Sequence, residues 1–409
     1  MFDPSSKIVG MSWNTHSLIS RFAASGNFSS NPGSLIKVVP MESFLQNCQE
    51  ELEGLSRDVR GRIYSRLGIE QIIDKENTVI KSPSDFIWSF RLNPGTEINY
   101  VRVFEVERSN FTMSHDSSRD GPPGHSYIPT SLGSDISALE IYCTFSDEPD
   151  WGMDQDIFSC PDYSMGRPPF GPRSGKSSQA AFHMGFPHEH RFFYRAIPGL
   201  ARSLLPIRAA MGFDLAKIAF RGGFDYWGWR FAAWGAHYLQ DITCPFHCCP
   251  FPPGIKNLLK KFFWNPNPFK FYHNNRNYLR NRHGLLEAVV SYLMNESVKD
   301  GTNSPLIDAL NPNHKKLPED LDLVIQEVSR IPCMLAPKIN DSMVNLFYWP
   351  LIDKPEYYLN EDPLLPIGKI IGDAATQRPS MYSVFVDMVS QCLSQAGRVT
   401  RYSLELFRR

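Results

Sequence analysis

No apolar run in the chain approaches the roughly 20 residues that a bilayer-spanning helix needs, so no transmembrane segment is expected. Charge of one sign is also missing: 42 Lys and Arg stand against 43 Asp and Glu. That balance excludes the global basic field by which nucleic-acid-binding chains attract their partners, and no nucleic-acid partner is expected. The opening "MFDPSSKIVGMSWNTH" carries no apolar stretch of signal-peptide length. The expected location is therefore the cytoplasm, or outside the cell by a route that uses no such signal, as for a secreted effector. Cys48, Cys143, Cys160, Cys244, Cys248, Cys249, Cys333 and Cys392 follow no framework spacing and demand no disulfides at this length. There is no internal repeat, and "SGKSS" at 174–178 lacks the spacing of a phosphate-binding loop.

What is present suits a globular chain. Its 409 residues, 42% hydrophobic, are enough for one large or two medium domains. "SWNTHSLISRFAA" at 12–24 reads as a helix capped by Thr15 or Asn14, with Ile19, Phe22 and Ala23 on one stripe. Residues 41–67 read as one long amphipathic helix, and "INYVRVFEV" as a short strand. Ser, Gly and Pro mark long loops at 114–135 and 159–180. From Phe192 the pattern turns helical, with small and aromatic residues on several faces of the 199–242 stretch, which predicts a central, buried position. The expected fold is mostly α: a helical bundle with irregular insertions near 75–140 and 157–180. Residues 1–300 would form the chemical domain, and 301–409 a helical C-terminal extension packed on it.

The chemistry concentrates in "GAHYLQDITCPFH", residues 235–247. Helical residues i and i+4 share a face, so His237 and Asp241 point the same way. Pro245 stops the helix, and His247 follows closely enough to fold back. "NRHGLLEAVV" offers His283 and Glu287 at the same spacing on another apolar helix. One such pair is ordinarily an exposed helical hydrogen bond. Two pairs, with His247 between them, favour a metal, because burying imidazole and carboxylate without a partner is costly. This donor set suits zinc.

Upstream, "FSDEPDWGMDQD" places Asp147, Glu148, Asp150, Asp154 and Asp156 beside Trp151. It does not fit a calcium-binding EF-hand, whose glycine and terminal glutamate it misplaces. "AFHMGFPHEH" adds His183, His188 and His190, the last two reading as solvent-exposed loop residues; His16 is the last candidate. In "CPFHCCP", Cys244, Cys248 and Cys249 read as buried free thiols rather than zinc ligands.

In this order the residues resemble the zinc-dependent phospholipases C, a superfamily shared with zinc-dependent single-strand nucleases. That family carries an early histidine, an aspartate often preceded by proline, a histidine in an aromatic H-x3-P context, then H-x3-D-x5-H and H-x3-E. Here the series is His16, Asp150, His183, His237, Asp241, His247, His283 and Glu287. The resemblance spans His16 to Glu287, is closest to the larger bacterial or fungal members, and leaves the residues after 300 unmatched. It implies three zinc ions, at least two, in a mostly helical fold. Asp150, His183, His237 and Asp241 would hold the first, His247, His283 and Glu287 the second, and His16 the third, with Asp241 bridging. Asp147 or Asp154 are alternatives to Asp150. In secreted relatives an N-terminal tryptophan completes the third site, and the nearest here is Trp13.

The implied reaction is hydrolysis of a glycerophospholipid phosphodiester, phosphatidylcholine foremost, to diacylglycerol and a phosphorylated headgroup. Asp150 would orient or deprotonate the attacking water. The nuclease relatives usually end their ligand set with aspartate, whereas Glu287 stands here. "PPGIKNLLKKFFWNPNPFKFY" at 252–272 mixes lysines with aromatics; Lys260, Lys261, Phe262, Phe263 and Trp264 suit a membrane interface, and the same pattern suits a core-packing helix with its lysines outside. The alternatives are a single-strand nuclease and a lipid-binding effector with a degenerate site.

Overall fold

The structure, a computed structural model, describes residues 15–24, 35–70, 79–96, 104–106, 127–129, 131–171, 179–252, 268–300, 304–311, 316–347 and 366–407. Trp13 and the expected membrane-facing residues Lys260, Lys261, Phe262, Phe263 and Trp264 lie outside them. The fold is mostly α. In chain order come α1 (His16–Ala24), β1 (Leu35–Lys37), α2 (Met41–Asn47), α3 (Gln49–Leu67) and α4 (Pro83–Ser89). Next are β2 (Phe104–Val106), β3 (Tyr127–Pro129), β4 (Asp135–Ser137), α5 (Ala138–Phe145), α6 (Ala180–His183), α7 (Arg191–Ala196), α8 (Leu205–Arg221), α9 (Asp225–Asp241) and α10 (Pro245–Cys248). The series closes with α11 (Pro268–Asp300), α12 (Pro305–Ala309), α13 (Leu321–Leu346), α14 (Ile367–Gln377) and α15 (Pro379–Glu405). The strands form two small antiparallel ladders, with Ile36 opposite Ile136 and Glu105 opposite Ile128.

Several boundaries differ from the expectation. The 41–67 helix breaks at Cys48, whose φ of −116° and ψ of 18° leave the helical region between α2 and α3. Of the expected strand at 98–106, Phe104–Val106 forms β2, and 98–103 lie outside the described residues. Helix α1 opens at His16, directly after Thr15, one of the two expected caps.

The centre of the molecule is the α8–α9 hairpin. Gly222 and Gly223 turn the chain between the two helices, and Gly223 sits at φ 78°, a conformation glycine adopts without strain. A methyl added at Gly212 of α8 would lie 2.5 Å from the Gly235 backbone nitrogen on α9. The helices thus meet backbone to backbone, at a separation no side chain would permit. Trp227, Phe231 and Trp234 are among the largest buried side chains of α9.

Two apolar clusters share the C-terminal helices. The first gathers α2, α3, α8 and α9 with Val399, Tyr402 and Phe407. The second joins Leu18 and Ile19 of α1 to Leu285, Leu286 and Val289 of α11 and to Ile339, Met343, Phe385 and Leu393. Helix α15 therefore contributes to both, and residues after 300 are continuous with the core that holds the site. Among the described residues no helix is long and apolar enough to cross a membrane.

Candidate metal centre

The end of α9, the short α10 and the middle of α11 bring the two helical pairs together. His237 and Asp241 are completely buried, one turn apart on α9. The chain leaves α9, Pro245 starts α10, and the turn swings His247 back onto Asp241, with His247 Nδ1 2.9 Å from Asp241 Oδ1. His247 Nε2 faces His283 Nε2 at 2.9 Å, and His283 Nε2 lies 2.8 Å from Glu287 Oε1. His183 ends α6, and the Gly185 amide donates to the His247 carbonyl at 3.0 Å, tying the two histidine-bearing segments together.

Four donor atoms of Asp150, His183, His237 and Asp241 gather closely. His183 Nδ1 lies 3.1 Å from His237 Nε2, 2.8 Å from Asp241 Oδ2 and 3.5 Å from Asp150 Oδ1. His237 Nε2 lies 3.2 Å from Asp241 Oδ2 and 3.7 Å from Asp150 Oδ1. Ligands about 2.1 Å from a tetrahedral zinc stand about 3.4 Å from one another, close to these spacings. The other oxygens of the same carboxylates face His16, whose Nε2 is 3.6 Å from Asp150 Oδ2 and 3.7 Å from Asp241 Oδ1. Asp150 and Asp241 each span two donor groups, an arrangement that suits carboxylates bridging neighbouring cations.

The donors fit a metal better than they fit each other. His16 Nε2, His247 Nδ1 and both Glu287 oxygens are buried without an aligned hydrogen bond. Close approach of imidazole and carboxylate without alignment is the geometry of atoms aimed at a shared point. A buried carboxylate left in that state is costly unless a cation neutralises it. The groups His16–His237–Asp241, Asp150–His183–His237 and Cys244–His247–His283 can each hold a metal ion.

Outer contacts fix the rings. His237 Nδ1 donates to the Ser146 carbonyl at 2.7 Å, leaving Nε2 for the centre. His16 Nδ1 donates to Gln240 Oε1 at 2.7 Å. The Gln240 amide in turn donates to Ser20 Oγ at 3.0 Å and to Thr400 Oγ1 on α15 at 2.8 Å, which settles its orientation. Such partners set tautomer and direction in metal sites.

The acidic segment divides its labour. Glu148 pairs with the fully buried Arg230 of α9, whose Nε donates at 2.8 Å, and accepts from Trp234 Nε1 at 2.6 Å. This anchors the 3-10 turn Glu148–Trp151 and holds Asp150 over His237. Asp154 accepts from Arg208 Nε at 2.8 Å and Tyr238 Oη at 2.6 Å, and its Oδ2 stands 3.4 Å from His183 Nε2, on the ring's far side from the centre. Asp147 accepts the Ser17 amide at 3.0 Å and so caps the helix that carries His16. Among the described residues Asp150 joins a metal-capable group, while Asp147 and Asp154, the alternatives to it, contact the Ser17 amide and the far side of the His183 ring. His188 and His190 are exposed and stand outside all three metal-capable groups.

Burial and neighbouring charges move the ionisable groups of the cluster in opposite directions. Burial works against protonating His183, but Asp241, Asp154 and Asp150 together outweigh it and hold the ring well above the usual histidine value. Burial is likewise overcome at His237 by Asp150 and Asp241, and at His283 chiefly by Glu287, so both rings are raised. Burial and His237 hold His16 well below its usual value. Asp241 is buried, yet His237, His247 and His183 keep it well below the carboxylate range.

Sequence reasoning missed Gln240, Thr400, Arg208 and Arg230; Cys244, Cys248 and Cys249 are buried free thiols as expected, with Cys244 in one metal-capable group. Comparisons of the chain with family models, with curated proteins and with solved structures found no match.

Proposed function

We propose that the chain is a zinc-dependent phosphodiesterase of the phospholipase C type, acting on glycerophospholipids at a membrane surface. One observation carries the reading: eight residues spread from His16 to Glu287 converge on one buried cluster, with Asp150 and Asp241 each shared between two donor groups. Asp150, His183, His237 and Asp241 would hold one ion, His247, His283 and Glu287 a second, and His16 with the remaining oxygens of Asp150 and Asp241 a third. Bound zinc lowers the pKa of a coordinated water to about 7 and neutralises charge on phosphoryl oxygens.

The chain's own groups prepare that chemistry. Arg230 and Trp234 hold Asp150 through Glu148, so the carboxylate is presented without freedom to swing away. Asp154 and Ser146 hold the His183 and His237 rings with one nitrogen each turned inward. The cluster meets solvent at His283, whose side chain is 17% exposed, and at Asp150, 8% exposed, so a phosphodiester would approach from that side. Lipid is favoured over single-stranded nucleic acid by the balanced charge of the chain and by Glu287 as the last acidic residue of the series.

The test is turnover of phosphatidylcholine vesicles and of single-stranded DNA by the zinc-loaded chain and by Asp241→Asn. Diacylglycerol release that falls at least a hundredfold in the variant, with an unchanged circular dichroism spectrum, is expected. Nucleotide release in its place transfers the assignment to the nucleases. Turnover of neither substrate, or full activity in Asp241→Asn, contradicts the proposal.

A further inference from the structure

We infer that Cys244 is the fourth protein donor of the second centre, coordinating as a thiolate beside His247, His283 and Glu287. The inference rests on the metal-centre reading above but concerns a ligand that the resemblance does not supply. Cys244 is fully buried and caps α10: its amide donates to the Asp241 carbonyl at 2.8 Å, and its carbonyl accepts from the His247 amide at 3.0 Å. This turn places the Cys244 Sγ and ring nitrogens of His247 and His283 all within 4.8 Å of one another. Its neighbours in "CPFHCCP" face elsewhere. Cys248 Sγ donates to the Pro245 carbonyl at 3.6 Å, and neither Cys248 nor Cys249 joins a metal-capable group among the described residues.

A second observation points to the same cation. Glu287 is 2% exposed, and both of its oxygens lack an aligned hydrogen bond. Two imidazoles and one carboxylate leave a tetrahedral ion one ligand short. A thiolate completes the four and matches the charge of a divalent ion, because thiolate and carboxylate together carry two negative charges. A coordinating cation deprotonates such a thiol outright.

A centre closed by four protein side chains is of the structural kind. The second ion would fasten α10 to α11 and so fix His247 against Asp241. An open coordination position would belong to the ion held by His16 with Asp150 and Asp241, which has three protein donors.

The experiment uses the full chain, stripped of metal and titrated with cobalt(II). Visible bands of tetrahedral cobalt should appear together with a near-ultraviolet sulfur-to-cobalt charge-transfer band. That band should vanish in Cys244→Ser and persist in Cys248→Ala and in Cys249→Ala. X-ray absorption at the zinc edge of the unmodified protein needs no variant to fold, and should show a sulfur neighbour at about 2.3 Å. A shell of nitrogen and oxygen alone, or a charge-transfer band that survives Cys244→Ser, overturns the inference while leaving the metal centre intact. A folded chain that binds neither cobalt nor zinc overturns the centre itself, and the proposed function with it.

Discussion

Gln240 shows how one uncharged residue governs a charged site. Its amide connects His16 on the first helix to Thr400 on the last, and it sits just before Asp241 on α9. Nothing in the local sequence marks it: its partners are 224 and 160 residues away. Gln240→Leu keeps the volume but frees the His16 ring and leaves Ser20 and Thr400 without their donor. Loss of such an orienting partner typically weakens metal affinity 10- to 100-fold. Competition with a chelator should show that weakening for the weakest-bound ion only. An affinity unchanged for every ion would mean that His16 is not a ligand. The histidines also make a prediction about pH. His183, His237 and His283 are raised above the unfolded value of about 6.5, so without metal they stabilise the fold fully below about pH 6.5. That stability is lost as pH rises through their folded values. Metal must displace the same protons, so its affinity rises over that interval. The gain in melting temperature on adding zinc should be larger near pH 8 than near pH 6; an equal gain at both would contradict the coupled site.

Between elements, the site depends on the closeness of α8 and α9. Arg208 on α8 and Tyr238 on α9 grip Asp154 together, while Arg230 and Trp234 on α9 grip Glu148. The acidic segment therefore reads the spacing of the hairpin. Gly212→Ala would place a methyl 2.5 Å from the Gly235 nitrogen, against backbone that cannot turn aside. Overpacking of this kind costs about 1–3 kcal/mol or more. The variant should unfold at lower urea concentration and bind metal more weakly at Asp150; wild-type stability would show that the helices separate without cost. The i, i+4 pairs His237–Asp241 and His283–Glu287, and the return of His247 after Pro245, were legible from the sequence because helix geometry fixes them locally. The roles of Asp147, Asp150 and Asp154 were not. Three carboxylates in one short stretch look alike until the distant groups that bind them, Ser17, His16 and Arg208, are known. Cys244 was set aside for the same reason, since its nearness to His283 depends on how α10 meets α11.

For the whole molecule, the C-terminal helices complete the site. Helix α15 supplies Thr400 to the Gln240 amide, and Ser403 to a hydrogen bond with Tyr142 on α5, while its apolar face serves both hydrophobic clusters. The mostly α character followed from composition and periodicity. The dependence of the N-terminal histidine on a residue near position 400 did not, because it arises only when the chain closes on itself. The central claim is that this closure builds a multi-ion centre, and metal content tests it most directly. The chain purified under native conditions and measured by inductively coupled plasma mass spectrometry should carry at least two zinc ions, and three where the His16 group is filled. Asp241→Asn, which alters the carboxylate shared by two groups, should lose more than one of them. A folded chain with no bound metal, or an Asp241→Asn variant with the full complement, would contradict the account.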